Sequence, residues 1–204
     1  MTTLNQREVR EVLFRLYAEA KANDSKVQAE EQALLAAAGG TIDDPTLQSI
    51  NDRTFMAVAP EVGRLIYLLV RSRRPALVVE FGTSFGLSAI HIASGLRDNC
   101  FGHLITTEQS AAKASRAAVH IEQAGLSDLV EIRQGDALRC SPKTIAGSMP
   151  NALKPRAACP SEHHATRSRF LRYPLAPCHA TGSASVSRTC FVVRLRRSPR
   201  CNIS

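Results

Sequence analysis

The stretch Val78-Val79-Glu80-Phe81-Gly82-Thr83-Ser84-Phe85-Gly86-Leu87-Ser88 decides the fold. It reads as a short buried strand ending in an acid, then a glycine-bearing turn, then the start of a helix. Gly82 and Gly86 lack Cβ, so the backbone can turn tightly there and a ligand can come close. Backbone N–H groups at the helix start favour an anionic group. Glu80 can accept from a cationic or polar group.

Downstream, the same alternation repeats. Ala76 to Phe81 is the first strand and Gly86 to Leu96 a helix. Leu104 to Glu108 is a second strand. Ser110 to Ala124 is a helix, with Ser110 as N-cap residue and Gly125 as stop. Val130 to Gln134 is a third strand. This order predicts right-handed crossovers and a parallel sheet, with ligands beyond the carboxyl ends of the strands. Two more strand ends carry acids, at Thr106-Thr107-Glu108 and Gly135-Asp136. An acid on the second strand can accept two ribose hydroxyls, and one on the third can accept from an adenine amino group.

Upstream, Val9, Val12, Leu13, Leu16, Tyr17 and Ala20 recur at helical spacing. Gly39-Gly40 breaks the helical pattern of Val27 to Ala38, and Asp43-Asp44-Pro45 is turn-like. A further helix runs from about Pro60 to about Arg71, closed by Pro75.

The chain of 204 residues suits one domain or one domain plus an appendage. Its net charge of +8 is unevenly placed. Residues 141–204 hold 11 Lys and Arg against the single acid Glu162, leaving 15 basic and 17 acidic residues in the first 140. That tail also holds seven of the ten Pro and four of the six Cys, and its apolar run is Phe191-Val192-Val193, embedded in Arg. Without period 2 or 3.6, it reads as a disordered basic tail or as out-of-frame translation after about Arg139, the second being favoured. A sheet that stops at the third strand would leave Ala76 to Phe81 as an exposed apolar edge, an aggregation hazard.

Residues 52–138 resemble the class I S-adenosylmethionine-dependent methyltransferases, most of all small-molecule O-methyltransferases of the catechol and caffeoyl-CoA type. The resemblance rests on Glu80-Phe-Gly82-Thr-Ser-Phe-Gly86-Leu-Ser88, Ile105-Thr-Thr-Glu108 and Val130-Glu-Ile-Arg-Gln-Gly135-Asp136-Ala137, with Ala59-Pro60-Glu61-Val62-Gly63-Arg64-Leu65 as the preceding helix. It implies S-adenosylmethionine as cofactor and a small-molecule hydroxyl as methyl acceptor. It implies that Gly82 and Ser84 line the methionine part of the cofactor, with Thr83 and Gly86 in the same turn. Ser88 would bind the carboxylate, Glu108 the ribose, and Asp136 and Ala137 would flank the adenine. Met56 would approach the methyl-donor end. Intact relatives can also hold a divalent metal and supply an acceptor pocket. No segment after residue 140 matches those parts, so no metal ligand and no catalytic residue is assigned, and the activity of this chain is in doubt.

Rival readings use the same residues. Gly82-Thr83-Ser84-Phe85-Gly86 fits the Gly-x-Ser-x-Gly nucleophile elbow of hydrolases, with Asp136 and a tail His as partners, but leaves Glu80 and Glu108 unexplained. The turn is Gly-x-x-x-Gly, not the dinucleotide fingerprint. A non-catalytic binding protein using the basic tail is the main alternative. Phe170, Tyr173 and Phe191 give thin aromatic interleaving, so nucleic acid is not expected. Cys159, His163, His164, Cys178, His179, Cys190 and Cys201 lack the paired spacing of zinc modules. A disulfide framework is not expected either. Cys100 reads as a plain loop cysteine, and His91, His103 and His120 as structural residues.

The expected architecture is therefore α/β: a Rossmann-like parallel sheet with N-terminal helices, incomplete after the third strand, and an irregular basic tail. The expected division is a helical segment over 1–50, a partial S-adenosylmethionine-binding domain over 51–139 and the tail over 140–204. No apolar run reaches the roughly 18 residues of a membrane span. The first eight residues lack the features of a signal peptide, so a cytoplasmic protein, open to homo-oligomer formation, is expected.

Overall fold

The computed structural model describes residues 1–39 and 42–135, and the backbone of a strand at Cys190–Arg194. Five helices and four strands follow in the order α1 (Arg7–Ala37), α2 (Asp44–Arg53), α3 (Pro60–Arg73), β1 (Leu77–Phe81), α4 (Leu87–Asn99), β2 (His103–Glu108), α5 (Ala111–Gln123), β3 (Val130–Gln134) and β4 (Cys190–Arg194). The sheet order is β3-β2-β1-β4 and every pairing is parallel. The Rossmann-like parallel sheet and the N-terminal helices are as the sequence predicts.

The sheet's core face carries Val78 and Leu104, which pack with Ile90, Ile92 and Leu96 of α4 and Ile121 of α5. Val9, Val12, Leu13 and Leu16 of α1 join the same cluster, so the apolar stripe of the N-terminal helix is a core stripe. Leu77, Val79 and Ile105 form a smaller cluster on the other face, as the period-2 alternation of a strand requires. Asp98, near the end of α4, ties the helical layer together. It accepts from the Thr3 N–H (3.0 Å), the Thr3 hydroxyl (2.5 Å) and the Tyr67 hydroxyl of α3 (2.6 Å).

Several expectations are corrected. Asp43-Asp44-Pro45 does not end in a turn but starts α2. The Asp43 carboxylate accepts from the Thr46 N–H (3.1 Å) and Pro45 sits in the first turn, where its missing N–H costs nothing. Ser110 occupies the N-cap of α5 without a side-chain capping bond. Cys100 is disulfide-bonded and is no plain loop cysteine. The β1 edge is not bare: β4 pairs with it in the register Val79↔Val192 and Phe81↔Arg194. The predicted sites Asp136 and Ala137, and the tail residues other than 190–194, lie outside the described residues.

Candidate active site

Three pieces of chain converge at the carboxyl ends of β1 and β2. The first is the turn 82–86. Gly82 has φ +86° and Gly86 φ +94°, a region in which Cβ is strained, so both glycines are required by conformation. A Cβ at Gly82 would meet no atom of the other described residues within 4 Å, so its backbone faces open space among them. Ser84 holds φ +48° without being glycine, and is fixed from both ends. Its N–H donates to Glu108 Oε2 (2.8 Å) and its hydroxyl to the Phe55 carbonyl (2.6 Å). The Gly82 and Thr83 N–H groups both donate to the Thr107 carbonyl at 3.0 Å.

The second piece is the end of β2. Glu108 Oε2 takes the Ser84 N–H and Oε1 takes the Ser110 N–H (3.0 Å). A carboxylate offers about four lone-pair positions, so two remain for a ligand.

The third piece is the connection between α2 and α3. Phe55 is buried and stacks on Phe85 with ring centroids 4.0 Å apart, and the Arg116 guanidinium lies over both rings. Met56 follows with φ +48° and 44% exposure. Between this connection and the turn lies a cavity of about 20 Å³, lined by Met56, Gly82, Thr83, Ser84 and Ser88 among others. It has room for about one water. A far larger groove of about 830 Å³ lies elsewhere, between α1 and α3, away from the strand ends. The convergence of polar groups, not the volume, marks the site.

Beneath the turn, Glu80 is fully buried. Thr106 donates to its Oε2 (2.7 Å), while Glu80 Oε1 and the Thr83 hydroxyl have no partner among the described residues. Burial pushes the Glu80 carboxyl pKa up; the Ser88, Thr106 and Thr83 hydroxyls oppose this, and the Glu108 carboxylate adds to it. A buried acid with one oxygen outside hydrogen-bond geometry of any described group can accept from a cationic or polar ligand group. Among the predicted residues, Glu80, Gly82, Thr83, Ser84, Gly86, Ser88 and Glu108 are thus gathered at one place. Phe55, Arg116 and Asp24, whose Oδ1 accepts the Phe55 N–H (2.8 Å), complete it and were not singled out from the sequence. They carry no motif, and no local spacing links them to the turn.

The hydrolase arrangement is not formed among the described residues. The Ser84 hydroxyl is engaged with the Phe55 carbonyl, His120 Nδ1 lies 2.9 Å from the Phe85 carbonyl, and His91 Nε2 lies 3.2 Å from the Tyr17 hydroxyl. No group of three or more metal-ligating side chains occurs among the described residues. No described helix is long and apolar enough to cross a membrane.

Residues 79–154 match a family described as a methyltransferase domain. Catechol O-methyltransferase of Niastella koreensis is 33% identical over 116 residues, 57% of this chain and 48% of that protein. Catechol O-methyltransferase of Mycobacterium tuberculosis is 33% identical over 124 residues, 61% of this chain and 52% of that one. A solved O-methyltransferase from Bacillus cereus, in complex with SAH, is 26% identical, with a TM-score of 0.43 over 64% of this chain and 58% of its own. The chain thus spans about half the length of the curated relatives it matches. The matched segment, with its glycine turn and acid-tipped parallel strands, is similar to methyltransferase domains and to catechol O-methyltransferases.

Proposed function

We propose that the strand ends around Glu80, Gly82 and Glu108 bind S-adenosylmethionine, and that the intact enzyme transfers its methyl group to a hydroxyl of a small molecule. The observation that carries this reading is a pair of buried polar atoms without a hydrogen-bond partner among the described residues, Glu80 Oε1 and Thr83 Oγ1, beneath a glycine turn whose neighbour Glu108 keeps two acceptor positions. The cavity beside Met56 is too small for a nucleoside, so the cofactor lies on the open side of Gly82. There Gly82, Thr83, Ser84 and Gly86 form the backbone that meets the methionine part, Ser88 meets its carboxylate, and Glu80 receives its ammonium through the turn. Glu108 accepts from the ribose hydroxyls, and Asp136 and Ala137 flank the adenine. When bound, the cofactor supplies an electrophilic methyl on sulfur. The protein's part is to hold donor and acceptor in line. The names of the relatives support a small-molecule acceptor. A cytoplasmic setting and the domain limits 51–139 and 140–204 belong to the same reading. Turnover by this chain is not proposed, because the sequence assigns no acceptor pocket after residue 140.

Calorimetry with S-adenosylhomocysteine tests it. The full chain is expected to bind, Glu108→Gln to bind more weakly, and Glu108→Ala to lose binding by about tenfold or more, as for a charge-assisted hydrogen bond. Equal heats for all three variants would remove Glu108 from the site. No heat with the full chain would end the cofactor reading and leave a binding protein acting through the basic tail.

A further inference from the structure

We propose that Asp24, in the middle of α1, is a positioning residue for the cofactor site: by holding the Phe55 backbone it fixes Met56 beside the glycine turn. The proposal rests on the cofactor reading above and adds a part that no strand end supplies.

The geometry centres on Phe55, which is held from three directions. Asp24 Oδ1 accepts its N–H at 2.8 Å. The Ser84 hydroxyl donates to its carbonyl at 2.6 Å. Its ring is buried and stacks on Phe85 at 4.0 Å, with the Arg116 guanidinium 5.8 Å from its centroid. The connection is also fixed just upstream. Asn23 donates to the Arg53 carbonyl (2.7 Å), and Arg53 makes a two-point contact with Glu30 of α1 (2.8 and 2.9 Å). The Thr54 hydroxyl donates to the Ile50 carbonyl (2.8 Å) and finishes α2. The exposed Arg53–Glu30 pair contributes little energy, but it sets direction.

Met56 is the residue that this clamp controls. Its φ of +48° is unfavourable for a side chain with Cβ, and such a conformation persists only where its surroundings enforce it. The clamp on Phe55 does that from the preceding residue. The result is that Met56 lines the same small cavity as Gly82, Thr83, Ser84 and Ser88. Asp24 touches none of these four. It acts through the Phe55 N–H, so its effect is one of preorganisation: without it, the ligand must order the connection 54–58 on binding.

The full chain is titrated with S-adenosylhomocysteine by calorimetry, and release is timed by stopped flow. Asp24→Ala is expected to raise Kd about tenfold, mostly through faster release, as when a charge-assisted hydrogen bond is removed. Asp24→Asn keeps an oxygen acceptor for the Phe55 N–H and is expected to stay within about threefold of the native value. The ¹³C-methyl resonance of Met56 gives a readout that a purely structural role would not move. It is expected to broaden or shift toward the free-methionine position in Asp24→Ala and to remain in Asp24→Asn. Should Asp24→Ala fail to fold, Asn23→Ala removes the adjoining tie to the Arg53 carbonyl, with an expected loss of about threefold and the same methyl shift. Unchanged affinity and an unchanged Met56 resonance in Asp24→Ala, or in Asn23→Ala where that variant stands in, overturn the proposal. So does an Asp24→Asn variant as weak as Asp24→Ala. In those cases the native chain still binds and the cofactor reading stands. If the native chain does not bind, both fall.

Discussion

Glu80 is fully buried, with one oxygen partnered by Thr106 and the other without a partner among the described residues, an arrangement that favours the neutral acid. Its pKa is raised in the folded chain, so the folded form retains a proton that the unfolded form gives up. The stability tied to that proton is fully present below the ordinary carboxyl pKa and is lost as pH rises through the raised one. Glu80→Gln, neutral at every pH, is therefore expected to melt higher than the native chain at pH 8 and to lose that advantage near pH 4. The same variant should bind S-adenosylhomocysteine more weakly, since an ammonium group brought to the turn draws out the ionised carboxylate, which Gln cannot supply. A melting difference independent of pH would remove the buried proton. His91 works with the opposite sign. It is 3% exposed, and burial and the Arg64 guanidinium lower its pKa from 6.5 to about 4. The unfolded chain binds the extra proton between those values, so stability falls on acidification from about pH 6.5 to 4, by about 3 kcal/mol at most. His91→Leu should flatten that stretch of the melting curve, and an unaltered pH dependence would assign the loss to other groups. No larger side chain fits at the helix crossing here, because a Cβ on Gly63 would overlap the His91 ring.

Elements were legible in the sequence where burial leaves a periodic trace. The strand β3 is read at its observed limits, and β1, β2, α3 and α5 within two residues, because α3 and α5 bury one face, β1 and β2 are short runs buried on both faces, and most of the turns between the elements carry Gly or Pro. The helix α4 shows no useful period, since every residue from Leu87 to Leu96 is buried, and it is found from the glycine turn before it instead. The helix α2 is missed as a helix because Ile50 is its single buried residue, so it has no apolar stripe, and its Asp-Pro start also reads as a turn. The strand β4 could not be placed from local pattern. Its five residues gain a role only by pairing with β1, more than a hundred residues earlier, and Arg surrounds them. The site divides the same way. Glu80, Gly82, Ser84, Ser88 and Glu108 stand at strand ends or in a turn, where a parallel sheet places its ligands. Asp24 and Phe55 reach the turn through bonds that span 31 and 29 residues and join a helix, a connection and a loop. No period or motif records such contacts.

At the scale of the whole chain, the open question is what β4 does for the sheet. Without it, β1 would be an edge strand carrying Leu77, Val78 and Val79, with its outer N–H and C=O groups unpaired. The tail that supplies β4 also supplies the positive charge, with +10 over residues 141–204. Both features oppose association, one by covering an edge and one by repulsion. They can be separated. Ending the chain at residue 188 removes β4 together with Arg194, Arg196, Arg197 and Arg200. Changing Arg196, Arg197 and Arg200 to Gln removes most of the same charge and leaves the strand in place. The shortened chain is expected to scatter light and to sediment as aggregates at concentrations where the full chain is clear, and the Gln variant to stay close to the full chain. Pairing, a contact that excludes another strand from the same hydrogen bonds, then accounts for the difference. If the Gln variant aggregates as much as the shortened chain, charge accounts for it, and β4 is dispensable to the sheet.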